Sequence, residues 1–475
     1  MPISEEVPTT SKTKSRRSPA EQLLRLFADV RAGEGRRALL LAANLFVLLF
    51  GYYLLKTIRE PLVLGESGGG AEVKSYAAAL QALLLVGITI AFSRLAERVD
   101  RMRLIAIVTS FFIANLIVFF FLFVSMPSHR LALGIAFFIW VGCFNVMIIA
   151  QFWAFANDLY ARDQGERLFP IIAGGSAIGA VAGAKLAKPL YLHYGPFALM
   201  LMTAGLLVVC LAITWLVHRE EGGGDGAARP AAGGDGTSST TRRGGFTLMV
   251  RDRYLQLVGA LSLIKNLVNT TGEYILDRRL LEVTKAQLGT QVGAIEKHIA
   301  AYKSDYFTYV NTIVLILQFV AVSRVIKYLG VRRALFFLPL VALASYGTMA
   351  LVPVLTVILI GKVTENSIDY SLQKTVEQTL FLVTTREAKY KVKAVVDTFM
   401  VRFGDVLSAG LVWGGTHLGL GTLGFIVANC VIVVVWLGVV VALARAHKAR
   451  AHDSQPATAE APPAARDIPS PTRAR

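Results

Sequence analysis

Long apolar runs, each about as long as a bilayer is thick, constrain the fold of this chain most. A helix needs roughly 20 mostly apolar residues to cross the hydrocarbon core. The sequence contains twelve such runs, at 38–57, 75–94, 104–126, 131–158, 168–188, 196–217, 254–276, 306–326, 332–352, 354–382, 393–415 and 422–443. We therefore expect an all-α integral membrane protein with twelve transmembrane helices. The fifth and eleventh runs are the weakest, because glycines and ionisable residues interrupt them.

Composition agrees with a membrane location. Hydrophobic residues make up 54% of the chain and charged residues 17%, whereas soluble domains carry about 25% charge. A net charge of +17 is also typical of nucleic-acid binding, but the basic residues here cluster in the tails and between apolar runs. We therefore expect the lipid bilayer, and not nucleic acid, as the partner of these charges.

Three other classes of feature are absent from the sequence. Cys143, Cys210 and Cys430 lie inside apolar runs without paired spacing, so neither a disulfide framework nor a zinc site is expected. Residues 1–35 are polar and basic, which argues against a cleavable signal peptide. The glycine-rich stretch 219–253 lacks the phosphate-loop pattern. No cofactor and no enzymatic site are predicted.

The distribution of lysine and arginine predicts the orientation. Connectors 94–103, 324–333 and 386–393 are each rich in these residues. The alternate connectors hold only one arginine among them and lie at 127–130, 352–356 and 416–421. Because cytoplasmic loops carry the excess of lysine and arginine, the basic connectors and both termini are predicted to be cytoplasmic, in a bacterial inner membrane.

The connectors 94–103 and 324–333 follow the second and eighth spans, which indicates a duplicated six-span unit. This arrangement resembles the major facilitator architecture. The expected segments are a basic tail, a first half, a flexible linker, a second half and a disordered tail, at 1–37, 38–218, 219–253, 254–445 and 446–475. Residues 280–304 form an external insert whose purpose stays open. The chain is expected to be a monomer.

Ionisable residues at bilayer depth are costly and normally face a cavity or a partner. Lys56, Arg59 and Glu60 close the first span on one helix face. They either contact substrate or snorkel to the external interface. In the seventh span a polar stripe with i,i+4 spacing begins at Lys265 and continues through Asn269, Glu273 and Asp277. It either lines the transport path or braces the bundle through an internal Lys–Glu pair.

The tenth span carries the strongest pattern. Its five charges fall within one half of an ideal helix, as expected for the wall of an aqueous cavity: Lys362, Glu365, Asp369, Lys374 and Glu377. The eleventh span adds Asp397, Arg402 and Asp405. Glu365, Asp369 and Asp397 are candidates for coupling or gating. Bases and acids together suit an anionic small-molecule substrate, since lysine and arginine bind phosphate or carboxylate groups. In the fifth span Gly175, Gly179 and Gly183 predict close helix packing.

Three motifs resemble the nucleotide (ATP/ADP) translocase family of intracellular bacteria and plastids. They are Tyr53-Leu-Leu-Lys-Thr-Ile-Arg-Glu-Pro-Leu-Val63, Phe152-Trp-Ala-Phe-Ala-Asn157, and Tyr370-Ser-Leu372 followed by Arg386–Asp397 and Arg402-Phe-Gly404. The resemblance implies a facilitator fold and nucleotide exchange. It also implies substrate contacts at Lys56, Arg59, Phe152, Asn157, Asn269, Glu273 and Arg402. The chain is similar to a divergent member, because Lys374 stands where the family has an acid and Glu377 where it has a lysine.

Three functions fit these patterns. The first is a secondary transporter that exchanges nucleotides or related organic anions by alternating access. The second is a proton-coupled carrier of another metabolite, with Glu273, Asp369 or Glu377 as the proton relay. The third is a transporter-like sensor or assembly protein that transports nothing. For the first function the candidate substrate-binding set is Lys56, Arg59, Glu60, Phe152, Asn157, Lys265, Asn269, Glu273, Lys374, Glu377 and Arg402.

Overall fold

A computed structural model describes residues 31, 34–222 and 244–453, and the helices and turns of these residues contain no β-strand. We refer to 34–222 as the N-terminal block and to 244–453 as the C-terminal block. Most of the predicted N-terminal tail, linker and C-terminal tail lies outside the described residues. The boundaries predicted for those segments therefore stay predictions.

The N-terminal block consists of five long helices. They are α1 (Gly35–Arg59), α2 (Ala71–Ala96), α3 (Arg101–Ser125), α4 (Arg130–Leu159) and α5 (Arg162–Gly222). A one-turn helix, Pro61–Leu64, continues α1 after Glu60. Helix α5 is interrupted at Gly195, whose φ of 78° lies in a region that glycine adopts without strain.

The C-terminal block begins with a short helix, Gly245–Arg251, and continues with eight longer ones. These are α6 (Arg253–Leu288), α7 (Val292–Val320), α8 (Val322–Ala334), α9 (Phe337–Leu351), α10 (Leu355–Ile368), α11 (Arg386–Val395), α12 (Val401–His417) and α13 (Thr422–Asp453). A π-helical turn, Asp369–Gln373, joins α10 to the short helix Lys374–Leu380. A second π turn, Val396–Met400, joins α11 to α12.

Six described helices are long and apolar enough to cross a membrane, and the bent pair α7–α8 adds a seventh. The six are Gly35–Leu64, Ala71–Ala96, Arg101–Ser125, Pro127–Leu159, Asp163–Glu220 and Thr422–Arg450. Five of the six lie in the N-terminal block, because several C-terminal helices, such as α9 with 15 residues and α10 with 14, are shorter than a span. This count establishes several spans but not the predicted twelve.

One predicted boundary in the C-terminal block was wrong, and the predicted insert, for which a helical structure was expected to be possible, is helical. The eighth span was predicted at 306–326, but its helix begins at Val292 and ends at Val320, and α8 then leaves at 75°. The insert 280–304 is helical on both sides of a turn at Gly289, whose φ is 67°. It is thus formed by the ends of α6 and α7. The run of apolar residues marks the part of a helix that lipid surrounds, and polar extensions of the same helix escape that signal.

The prediction of close packing through small residues was confirmed. Gly175, Gly179 and Gly183 of α5 lie directly against α1. A Cβ atom at each would collide with a backbone carbonyl oxygen of α1, at Ala42, Phe46 and Phe50 in turn. The shared spacing of four residues lets the two backbones approach along one face. Packing between α1 and α5 thereby fixes the helix that carries Lys56 and Arg59.

Candidate functional site

Four buried charges from both blocks meet in one alternating cluster, which we call the charge square: Glu60, Lys74, Asp277 and Lys303. Each is at most 8% exposed. Lys74 Nζ contacts Glu60 and lies 2.5 Å from Asp277 Oδ2. Lys303 Nζ contacts Asp277 and lies 3.6 Å from Glu60 Oε2. Each lysine therefore touches both carboxylates, and each carboxylate touches both lysines.

The square joins the two blocks because each supplies one acid and one base. Glu60 follows α1, and Lys74 lies in the first turn of α2. Asp277 lies in α6 and Lys303 in α7. Removing a charge from water costs several kcal/mol, and close opposite charges offset that cost only where the geometry is good. The mutual contacts of the four groups meet this condition, so the square favours the state in which the blocks touch here.

Further contacts between the blocks surround the square. Together with it they define what we call the joined end of the molecule. They pair Tyr53 with Asn311 (2.8 Å), Glu72 with Tyr274 (2.8 Å), Arg130 with Glu296 (3.1 Å) and Lys188 with Asp305 (2.6 Å). This is the end predicted to be external, and the 280–304 segment supplies part of it.

At the opposite end four ion pairs lie within a single block. In the N-terminal block they are Arg167–Glu34 (3.1 Å), Arg36–Glu220 (2.8 Å) and Arg101–Asp158. In the C-terminal block Arg450 lies 2.8 Å from Asp252. Partial burial raises the pKa of Asp252, but the hydrogen bond and charge of Arg450 lower it further, so the pKa lies below its ordinary value.

Lys56 and Arg59 lie beside the square on α1. Lys56 Nζ is 4.3 Å from the ring centre of Phe307 and 5.3 Å from that of Tyr53. Among the described residues Lys56 makes no ion pair. Arg59 contacts Glu60 at 3.3 Å and lies 4.4 Å from the ring centre of Phe138. Both cations are thus partly withdrawn from water by aromatic rings, and the carboxylate on which the charge of Lys56 acts, that of Glu273, is beyond ion-pair distance.

The predicted stripe of the seventh span connects to the tenth span. Lys265 Nζ lies 2.9 Å from Asp369 and 2.9 Å from Glu377. The side-chain oxygen of Asn269 accepts a hydrogen bond from Lys362 at 2.9 Å. Lysines of one helix therefore pair with acids or amides of the other, and two carboxylates share the single charge of Lys265.

Glu273 and Glu365 are held by different partners. Glu273 accepts hydrogen bonds from Asn366 (3.1 Å) and from the Tyr306 hydroxyl (3.3 Å). Glu365 lies 3.1 Å from Lys362 and accepts a hydrogen bond from the Tyr346 hydroxyl at 2.9 Å. Neutral donors thus hold the carboxylate of Glu273, in contrast to the buried ion pair at Glu365.

The five charges of the tenth span do not share one environment. Four are buried, whereas Lys374 has 55% of its side chain exposed and lies 3.8 Å from Asp397. The prediction assumed a regular helix from Lys362 to Glu377. The π turn Asp369–Gln373 interrupts that regularity and shifts the residues after it around the axis.

The other predicted residues have contacts or cavities of their own. Arg402 pairs with Asp405 at 3.2 Å on α12. Phe152 is buried in the N-terminal block beside a cavity of about 20 Å³ that Asn44 and other residues line. Asn157 is exposed and lines a cavity of about 680 Å³ near the opposite end.

Sequence reasoning missed Lys74 and Lys303. Lys74 stands one residue before the predicted second span, and Lys303 lies in the predicted insert. Both face the side on which the short connectors carry almost no lysine or arginine. Two lysines on the side that is otherwise poor in lysine and arginine were therefore the feature that could have pointed to this cluster. Within the described residues, no group of three His, Cys, Asp or Glu side chains could hold a metal ion.

Residues 13–133 match the family model of the TLC ATP/ADP transporter. The predicted resemblance to nucleotide translocases is confirmed over this stretch, which contains Lys56, Arg59, Glu60 and Lys74. The motifs at Phe152–Asn157 and Tyr370–Leu372 lie beyond it. None of the curated proteins matches the chain.

Solved structures show the fold. A variant of the nucleoside transporter NupG is 11% identical, with a TM-score of 0.60, and the match covers 87% of this chain and 99% of that one. A POT family transporter in complex with 5-aminolevulinic acid is 13% identical, with a TM-score of 0.60 and coverage of 87% and 96%. A bacterial homologue of the human lysosomal transporter Spinster, inward-facing and unoccupied, is 13% identical, with a TM-score of 0.56 and coverage of 87% and 98%.

The chain therefore has the fold of major facilitator transporters and is a multi-pass membrane protein of the transporter type. The matching family and the structural neighbours are transporters and not enzymes.

Proposed function

We propose that this protein exchanges nucleotides, or related organic anions, across a bacterial inner membrane by alternating access. In this proposal twelve spans form two six-span halves, and both termini are cytoplasmic. The observation that carries it is Lys56, a partly buried cation that makes no ion pair with a described residue, within the stretch that matches the ATP/ADP transporter family. An anionic substrate would pair with this cation directly.

The twelve-span arrangement has support beyond the apolar runs. The 58-residue stretch Asp163–Glu220 would be about 87 Å long as one straight helix, whereas the hydrocarbon core is about 30 Å thick. Its interruption at Gly195 suits two crossings. In the C-terminal block, ion pairs such as Lys265–Asp369 keep charged helices compatible with the membrane interior.

Alternating access is supported by the difference between the ends. The blocks contact each other through buried charges at the joined end, whereas the four ion pairs named at the opposite end each lie within one block. Access from the cytoplasm would then require no rearrangement of the charge square. Substrate would lie between Lys56 and Arg59 on one side and Asn269 and Glu273 on the other.

Counterflow in proteoliposomes tests the proposal. Vesicles loaded with unlabelled ATP, ADP or other nucleotides and organic anions should accumulate the labelled form of a true substrate. Empty vesicles should not, because a site that holds a cation without an ion pair is costly to reorient. The absence of counterflow across the whole panel would favour the non-transporting sensor.

Variants of the site separate substrate binding from snorkelling. Lys56→Gln should raise the apparent KM about tenfold or more, because it removes a positive charge from the site. Arg59→Lys should also raise it about tenfold or more, because an ammonium cannot reproduce the bidentate contact of a guanidinium. Lys185→Gln is the matched control, since Lys185 is exposed on α5. Unchanged KM in both Lys56→Gln and Arg59→Lys would remove these residues from the binding site.

One observation favours the second candidate function, a proton-coupled carrier. Lys265 balances only one of the two carboxylates it contacts, Asp369 and Glu377. One of these carboxylates therefore has no cation of its own, and an acid inside a membrane span is a candidate for a proton relay. Transport driven by an imposed pH gradient, and abolished by Glu377→Gln, would support coupling. Counterflow that is unchanged by clamping the pH would support simple exchange.

A further inference from the structure

A basic pocket lies between α8 and α13, away from the transport path. It has a volume of about 800 Å³ and is lined by the last turns of both helices and by Phe336. Four of its side chains are cations: Arg332, Arg333, Arg445 and Lys448. All four are exposed, and none forms an ion pair with a described residue. No acidic residue lines the pocket. It is therefore a positively charged cleft with no internal counter-charge.

The fold creates this cleft at a break in a helix. Gly330 has a φ of 73° and turns the chain just before Arg332 and Arg333. This turn brings the basic end of the connector beside the last turns of α13. In the sequence, Arg332 and Arg333 served only to predict that their connector is cytoplasmic. The structure adds a shaped site to them, with Arg445 and Lys448 contributed from more than a hundred residues away.

One wall of the pocket is apolar and continues into the lipid-facing surface. Leu329, Phe336 and Val441 line it. Val441 is 37% exposed and shares a face of α13 with Val434 (58%) and Val431 (61%). An occupant with a charged head and an apolar tail could place its head among the cations and its tail along these valines.

We propose that this pocket binds the headgroup of an anionic phospholipid, with the acyl chains along the valine face of α13. Basic clefts at the ends of membrane helices attract such headgroups by about 1 kcal/mol per cation. A soluble phosphate compound carries the same negative charge but has no acyl chain to contact the apolar wall. The C-terminal tail is a poor occupant, because residues 454–475 contain three arginines and only two acids.

Native mass spectrometry of the full-length protein tests this site. Wild type should bind phosphatidylglycerol at least about tenfold more tightly than phosphatidylcholine. The variant Arg332→Gln/Arg333→Gln/Arg445→Gln/Lys448→Gln should lose that preference. Arg324→Gln/Lys327→Gln is the matched control, since these exposed cations lie on α8 outside the pocket, and it should keep the preference. A milder variant, Arg333→Gln/Lys448→Gln, should weaken phosphatidylglycerol binding several-fold and guards against misfolding of the quadruple variant.

Three results would overturn the assignment. The first is equal binding of the two lipids by wild type. The second is displacement of phosphatidylglycerol by glycerol 3-phosphate at equal concentration, which would identify a soluble phosphate compound as the ligand. The third is phosphatidylglycerol binding that emerges only after deletion of 454–475, which would identify the tail as the occupant. Counterflow plays no part in these readouts, so failure of this site and failure of the transport function are separable.

Discussion

At the joined end, buried lysines and carboxylates of the two blocks contact each other, whereas at the opposite end ion pairs join helices of one block. The charge square also differs from the opposite end in burial. Lys303 and Asp277 are at most 1% exposed, but Arg101 and Asp158 have 40% and 47% of their side chains exposed. Buried pairs depend strongly on both partners, while exposed pairs contribute little. One end is therefore a specific connection between the blocks, and the other is a surface of each block.

The largest expected effect comes from fixing the joined end. In a background with Cys143→Ala, Cys210→Ala and Cys430→Ala, Lys188→Cys/Asp305→Cys treated with a short cleavable bifunctional thiol reagent should lose all counterflow. The blocks could then no longer separate there. Cleavage of the reagent should restore transport.

The matched control for this cross-link is Arg101→Cys/Asp158→Cys. Its parent side chains are almost as exposed as Lys188 and Asp305 but belong to one block. Cross-linking there should leave counterflow unchanged. Full transport with the joined end cross-linked would contradict alternating access through this end.

The second effect is the loss of one corner of the charge square. Lys303→Met leaves Glu60 and Asp277 with a single lysine and should destabilise the protein by about 3–5 kcal/mol. The midpoint of thermal unfolding in detergent would measure this. The double variant Lys303→Met/Asp277→Asn should recover most of the loss, because it leaves Glu60 and Lys74 as a balanced pair. A double variant as unstable as the single one would show that Lys303 acts by packing alone.

The third effect is on the packing of α1 against α5 within the N-terminal block. Gly179→Leu would push α5 away from the backbone of Phe46 and should cost about 1–3 kcal/mol or more. Gly174→Leu is the control, since no atom lies near its missing Cβ. Thermal unfolding of both variants would measure the difference. Equal stability of the two variants would mean that α1 and α5 do not depend on close approach.

The smallest effect is expected at the opposite end. Arg450→Gln should lower stability by about 0.2–1 kcal/mol, because its pair with Asp252 is partly exposed. The pKa of Asp252 is lowered in the folded protein, so the pair contributes above the ordinary carboxyl pKa and loses its contribution as the pH falls through the lowered value. Wild type and variant should therefore converge in thermal stability in strong acid. A larger loss than that of Lys303→Met would reverse the comparison.

The sequence predicted the membrane class because its apolar runs have the length of a bilayer crossing. It predicted the facilitator fold because basic connectors recur at matching places in the two halves. It also predicted the glycine face of α5, since a spacing of four residues is a local property. The charge square escaped prediction because it combines residues from both blocks, and no local pattern pairs Lys74 with Asp277. Lys374 was grouped with the other charges of its span because a π turn leaves no periodic trace in the residues around it.

The charge square has an electrical consequence. Two ammonium groups and two carboxylates carry no net charge, whereas each unbalanced elementary charge that crosses the membrane field requires about 2.3 kcal/mol per 100 mV. If the four groups separate and rejoin as two neutral pairs, their motion does little work against the membrane voltage. We therefore expect the voltage dependence of this protein to come from the charge of the solutes it carries and from Lys56, and not from the residues that hold its two blocks together.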